Sequence, residues 1–184
     1  MHKLLLVNFM NKNKILKTLF IFLPFLLAFP FHFVYDYIKF PFFAIYFPVN
    51  ESIFEHTKLL FTSLMISYLI YYFIYKKQID KTKYLSSLLV SILISTTAML
   101  MFYYIFKLIT GQEIMFLAIL SLLLGITIGQ IVSKIMYKKN IKWSKEISLY
   151  SLITITLVYL LFTVNPPYLE FFYDSLNNGY GLNI

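Results

Sequence analysis

Of the 184 residues, 60% are hydrophobic, 20% aromatic and 13% charged, which leaves too little polar surface to cover a soluble domain of this size; the chain reads as an integral membrane protein. The formal charge of +8 comes from lysine alone, and the lysines stand in short clusters between apolar runs, a topogenic pattern that excludes a nucleic-acid footprint. Cysteine is absent, so disulfides, thiolate ligands and thiol nucleophiles are excluded, and any metal would need nitrogen and oxygen donors.

A spanning helix needs about 20 mostly apolar residues. Five stretches meet that length, over residues 14–36, 50–75, 83–108, 113–137 and 146–164. The expected architecture is therefore all-α, a polytopic bundle of about five transmembrane helices forming a single integral domain over 1–184, multi-pass in the cell membrane. The first run follows Lys12, Lys14 and Lys17 as a signal peptide would, yet no small-residue cleavage site follows it, which predicts that it is retained. Pro24 and Pro30 remove backbone donors inside this run and predict a bend near Phe29 that steers His32 and Asp36. The aromatic connection over 37–49, with Pro41 and Pro48, predicts an ordered segment in the headgroup zone.

Further along, Ser87, Ser91 and Ser95 recur every four residues, as do Ser121, Gly125, Gly129 and Ser133. Small residues on one stripe let helix backbones approach closely in lipid, so both stripes are expected to be packing seams, with Gln130 bonding across a helix interface. Tyr137 and Trp143 fit interfacial anchors. The tail over 165–184 opens on Pro166-Pro167, which stops the last helix, and carries a turn signal at Asn178-Gly179; its aromatics are expected to hold it against the outer surface.

Orientation follows from charge. Thirteen of the sixteen lysines fall in the N-terminal tail and in the second and fourth connections, whereas six of the eight acids fall on the other side. Cytoplasmic loops collect lysine, so the N-terminus is expected inside and the C-terminus outside.

The acids and histidines concentrate around 47–58, where Asn50 or Ser52 can cap the second helix and Glu51 and Glu55 suit the positive end of its dipole. Capping leaves His56 and Lys58 unexplained. At 100° per residue Glu51, Glu55, Lys58 and Thr62 form one polar stripe, and Ser52, His56, Ser63 and Ser67 a second. A charge facing hydrocarbon at depth costs about 2.5 kcal/mol or more, so both stripes must face protein or water. On the first helix His32 and Asp36 are four residues apart and lie at the same membrane boundary.

His32, Asp36, Glu55 and His56 are therefore the candidate catalytic or metal-ligating residues, with Asn50, Glu51, Ser52 and Lys58 in support. Histidine with carboxylate suits a divalent ion such as Zn or Mn, and three protein ligands would leave a position open for water. The His-Glu-x-x-His pattern of zinc proteases is absent, as are a phosphate loop and a nucleophile elbow. A salt-bridged network tying the first two helices, with Glu55 to Lys58 as a spacing-allowed pair, explains the same residues without a metal.

His32-Phe-Val-Tyr-Asp36, Pro48-Val-Asn-Glu-Ser-Ile-Phe-Glu-His-Thr-Lys58 and Pro166-Pro-Tyr-Leu-Glu-Phe-Phe-Tyr-Asp174 with Gly179-Tyr-Gly181 resemble a family of small membrane proteins of Gram-positive bacteria without an assigned reaction. That family shares a His-x-x-Tyr-Asp signature, a Pro-Val-Asn-Glu-Ser-x-x-Glu-His-x-Lys signature and a Pro-Pro tail; the tail here departs from it in lacking a further proline and an Asp-Pro turn. The resemblance implies a multi-helix membrane protein whose three outer segments belong together.

Three functional classes stay open. The first is a membrane-embedded, metal-assisted enzyme on a lipid-linked or envelope substrate; the second a transporter or ion-binding component; the third a structural or scaffold protein. Membrane lipid is the expected partner, nucleic acid is not, and neither the oligomeric state nor the identity of a cofactor can be read from the sequence.

Overall fold

The computed structural model of the protein describes residues 21–182. The expectations for residues 14–20, the lysines at 3, 12, 14 and 17, and the last two tail residues lie outside them. Helices α1 (residues 21–32) and α2 (Val34–Tyr37) together make a short apolar segment, followed by α3 (Pro41–Tyr46). Four helices long and apolar enough to cross a membrane come next: α4 (Ile53–Tyr75), α5 (Lys81–Thr110), α6 (Met115–Lys138) and α7 (Lys145–Val164). The protein is an all-α membrane protein, with a two-stranded hairpin and a 3-10 turn besides among the described residues.

The helix ends follow local chemistry. Asp80 accepts the Thr82 and Lys83 N–H groups at 3.0 and 3.1 Å and starts α5; Ser144 accepts the Ile147 N–H at 3.1 Å and starts α7. Gly111, at φ 71°, closes α5 in the left-handed conformation that a side chain would strain. α7 stops at Val164, directly before Asn165-Pro166-Pro167.

α1 runs helically through Pro24 and Pro30, and the irregularity falls at Phe33, four residues beyond the position that the prolines predict. There the Phe33 N–H bonds to the Pro30 carbonyl at 3.3 Å, a tightened turn that separates α1, which carries His32, from α2, which carries Asp36. The aromatic connection is ordered, as expected: Pro41 occupies the first turn of α3, and Ala44 is buried.

α4 and α5 form the centre of the bundle, with 56% of each spanning window buried, against 28% for α6 and 22% for α7, whose outward faces are apolar and suited to lipid. The core joins Leu60, Phe61 and Leu64 of α4 to Leu89 and Ile92 of α5, Ile126 of α6 and Tyr159 of α7. The small-residue stripes form the α5–α6 seam. A Cβ on Gly129 would sit 2.6 Å from the Ser91 carbonyl and 2.0 Å from Ser95 Oγ, and one on Gly125 would sit 2.6 Å from the Ser95 carbonyl. Gln130 reaches across the interface to the Tyr68 hydroxyl at 3.5 Å.

The tail folds back over one end of the bundle. A 3-10 turn (Glu170–Phe172) seats Phe172 against Phe54, with ring centroids 4.7 Å apart. Strands β1 (Tyr173–Asp174) and β2 (Gly179–Tyr180) then pair antiparallel, Tyr173 opposite Tyr180, around a turn with Asn178 at φ 54°. Gly129→Ala should lower the stability of detergent-purified protein by about 1–3 kcal/mol in thermal unfolding, whereas Leu108→Ala on the exposed face should change it by less than about 0.5 kcal/mol.

Candidate functional site

The start of α4 decides what its polar residues can do. The cap is Ser52, whose Oγ accepts the Glu55 N–H at 3.4 Å; Asn50 instead accepts the Ser52 N–H at 2.9 Å. Glu51 therefore precedes the helix, and its side chain is not bound to the stripe that a helical projection assigns it. The reciprocal half of the capping box does not form, because Glu55 turns to the Val49 N–H at 3.0 Å.

Freed from the helix, Glu51 lies between two imidazoles. Its Oε2 is 3.5 Å from His32 Nε2 and 3.6 Å from His56 Nε2, and the two rings lie 5.4 Å apart. One ligand atom from each of the three side chains can be chosen so that all lie within 4.8 Å of one another. His56 Nδ1 is 2.9 Å from the Ser52 carbonyl, a contact that favours a proton on that nitrogen and leaves Nε2 as an acceptor facing Glu51. His32 Nδ1 is buried without a hydrogen-bond partner among the described residues.

Glu55 and Lys58 are elsewhere. Both are almost fully buried, the Lys58 ammonium lying 2.5 Å from Glu55 Oε2, 2.7 Å from the Ala44 carbonyl and 2.8 Å from Thr163 Oγ1. Its three protons thus meet three acceptors on α3, α4 and α7. Asp36 is exposed and makes no hydrogen bond or ion pair among the described residues. Of the eight positions singled out from the sequence, the structure brings His32, Glu51 and His56 together, pairs Glu55 with Lys58, uses Asn50 and Ser52 to shape the turn, and leaves Asp36 apart.

Two features escape local spacing. Asp174, 1% exposed, accepts the Glu51 N–H at 3.2 Å from 123 residues away, along with the Leu176 and Asn177 N–H groups and the Asn177 amide, while Asn50 Nδ2 donates to the Gly181 carbonyl. The tail thereby fixes the loop that carries Glu51. Lys107, at the end of α5, pairs with Glu113 at 2.9 Å and Glu170 at 2.5 Å. Beside it is a cavity of about 180 Å³ that Glu51 also lines.

The electrostatics match the contacts. The adjacent His32 imidazole, against the opposing effect of burial, holds the Glu51 carboxyl below the usual carboxylate range. Burial pushes Asp174 upward, but its hydrogen bonds to Asn177, Glu51 and Leu176 outweigh that and hold it low as well.

Apolar spanning helices and a histidine–carboxylate cluster at one end of them define a membrane protein with a candidate metal-binding centre. The chain belongs to the family of unknown function DUF6512, which it matches over residues 7–182. No curated protein and no solved structure matches it.

A depressed folded pKa means that the contribution of Asp174 is complete above the ordinary aspartate value near 3.8 and is lost as pH falls through the lower folded value. Thermal stability should therefore hold level at neutral pH and drop in acid below about pH 4, and Asp174→Asn should lower the level region and remove part of the drop. Lys58→Met should destabilise by about 3–5 kcal/mol by stranding Glu55, with much of that recovered in the Glu55→Gln/Lys58→Met double variant, as measured by thermal unfolding.

Proposed function

We propose that this protein is a membrane-embedded, metal-assisted enzyme that acts at the outer face of the cell membrane on a lipid-linked or envelope substrate. A divalent ion such as Zn or Mn is held by His32, Glu51 and His56. The observation that carries this reading is the convergence of the three side chains. Tetrahedral ligands at bonds of 2.0–2.2 Å lie about 3.4 Å from one another, and the separations of Glu51 Oε2 from the two histidine nitrogens are 3.5 and 3.6 Å. The tautomer favoured by the Ser52 carbonyl presents His56 Nε2 as a ligand, and a single carboxylate between two imidazoles suits one cation better than two protons.

Three protein ligands leave room for water or a substrate oxygen, the arrangement in which an ion activates a nucleophile or polarises a carbonyl or phosphoryl group. Asp36, exposed and unpaired among the described residues, takes the acid/base role in this proposal. Glu55, committed to Lys58, is a supporting residue.

The transport reading needs a polar path through the bundle. Below the site, however, Thr62 bonds to the Tyr46 carbonyl, Ser63 to Leu59 and Ser67 to Ser63, so these hydroxyls satisfy backbone acceptors. The serine stripe of α5 packs against glycines of α6. Both observations weigh against the transport reading. The Glu55–Lys58 pair supports a structural role for those two residues, and that role is compatible with a metal beside them.

Metal analysis of protein purified without chelators should find about one divalent ion per chain in the wild type. His32→Ala, His56→Ala and Glu51→Gln should each reduce this to near zero, while Asp36→Asn should keep the ion and lose activity. Substoichiometric metal that none of the three ligand substitutions changes would overturn the metal centre.

A further inference from the structure

The cavity beside the site has a composition of its own. Its walls carry three carboxylates, Glu51, Glu113 and Glu170, against the single ammonium of Lys107. Lys107 already bridges Glu113 and Glu170, so it is not free to receive an anion, and the surplus of negative charge selects a cationic group. Tyr103 and Tyr104 add aromatic faces, to which ammonium groups are attracted. Tyr103 is only 7% exposed, and its hydroxyl meets no well-aligned hydrogen-bond partner among the described residues but stands beside the Glu113 carboxylate.

The cavity, of about 180 Å³, has room for a small headgroup. On the same helix Met101, Ile105 and Leu108 are exposed apolar residues, so the cavity opens next to a lipid-facing flank. Glu51 belongs to both the cavity and the histidine cluster, which places the cationic subsite next to the proposed ion.

We infer that the cavity is a subsite for the headgroup of a zwitterionic phospholipid with a primary ammonium. The ammonium lies among Glu113, Glu170, Tyr103 and Tyr104, and the phosphodiester points toward Glu51. The phosphodiester half of this assignment rests on the metal reading above; the ammonium half stands without it.

The test uses full-length protein in detergent, titrated with short-chain phosphatidylethanolamine and with phosphatidylglycerol of the same chains, each with and without added Zn²⁺. The ethanolamine lipid should bind about tenfold more tightly. Glu113→Gln/Glu170→Gln, at exposed positions, should bring the two lipids to near equality, and Tyr103→Phe, which removes only a hydroxyl, should reduce the preference with the fold intact. Equal binding of the two lipids by the wild type, or a preference that both variants retain, would overturn the subsite. Free phosphoethanolamine binding as tightly as the lipid would overturn the lipid assignment. The two readings separate: an ethanolamine preference in protein that binds no stoichiometric metal keeps the subsite and removes the metal centre, and stoichiometric metal without any preference does the reverse.

Discussion

An ammonium group removed from water needs an acceptor for each of its three protons, and Lys58 finds them on three separate elements. Desolvating such a charge costs several kcal/mol, so the arrangement persists only where every partner is in place. Glu55 supplies the countercharge from its own helix, Ala44 a backbone carbonyl from α3, and Thr163 a hydroxyl from the last turn of α7. Meeting all three conditions at once positions the aromatic connection and α7 against α4. The Val49 N–H, which shares Glu55, brings in the loop just before the helix.

That strut separates two carboxylates only four residues apart. Glu55 points into the protein and is committed to Lys58. Glu51, one residue before the cap, is free to meet His32 and His56. Ser52 makes the difference: by beginning the helix where it does, it leaves Glu51 in the bend before the helix and starts the 100° rotation only after it. The tail then takes up the Glu51 N–H through Asp174, so that one loop is held on one side by a buried lysine network and on the other by a buried aspartate.

Much of this was legible in the residues. Apolar run length placed the four long helices to within a few residues, the four-residue spacing of small residues identified the α5–α6 seam, and i to i+3 spacing marked Glu55 and Lys58 as a pair. The histidine–carboxylate cluster was less legible. A helical projection puts Glu51 and Glu55 on one stripe and His32 and Asp36 on one face, but α4 begins only after its cap at Ser52, and a turn at Phe33 interrupts the helix between His32 and Asp36. Thr163, Asp174 and Glu170 lie 63 to 123 residues from their partners Lys58, Glu51 and Lys107. No local period encodes contacts that only the assembled bundle creates.

The Asp174 contact also orders events in time. The α5–α6 hairpin joins neighbours through a four-residue link and can form as soon as both helices exist, whereas the grip on Glu51 waits for a segment synthesised long after the two histidines. A nascent chain would hold its helices before it could hold its centre. The histidine–carboxylate cluster at this end of the bundle is in this way completed only once the tail has folded back onto its loop.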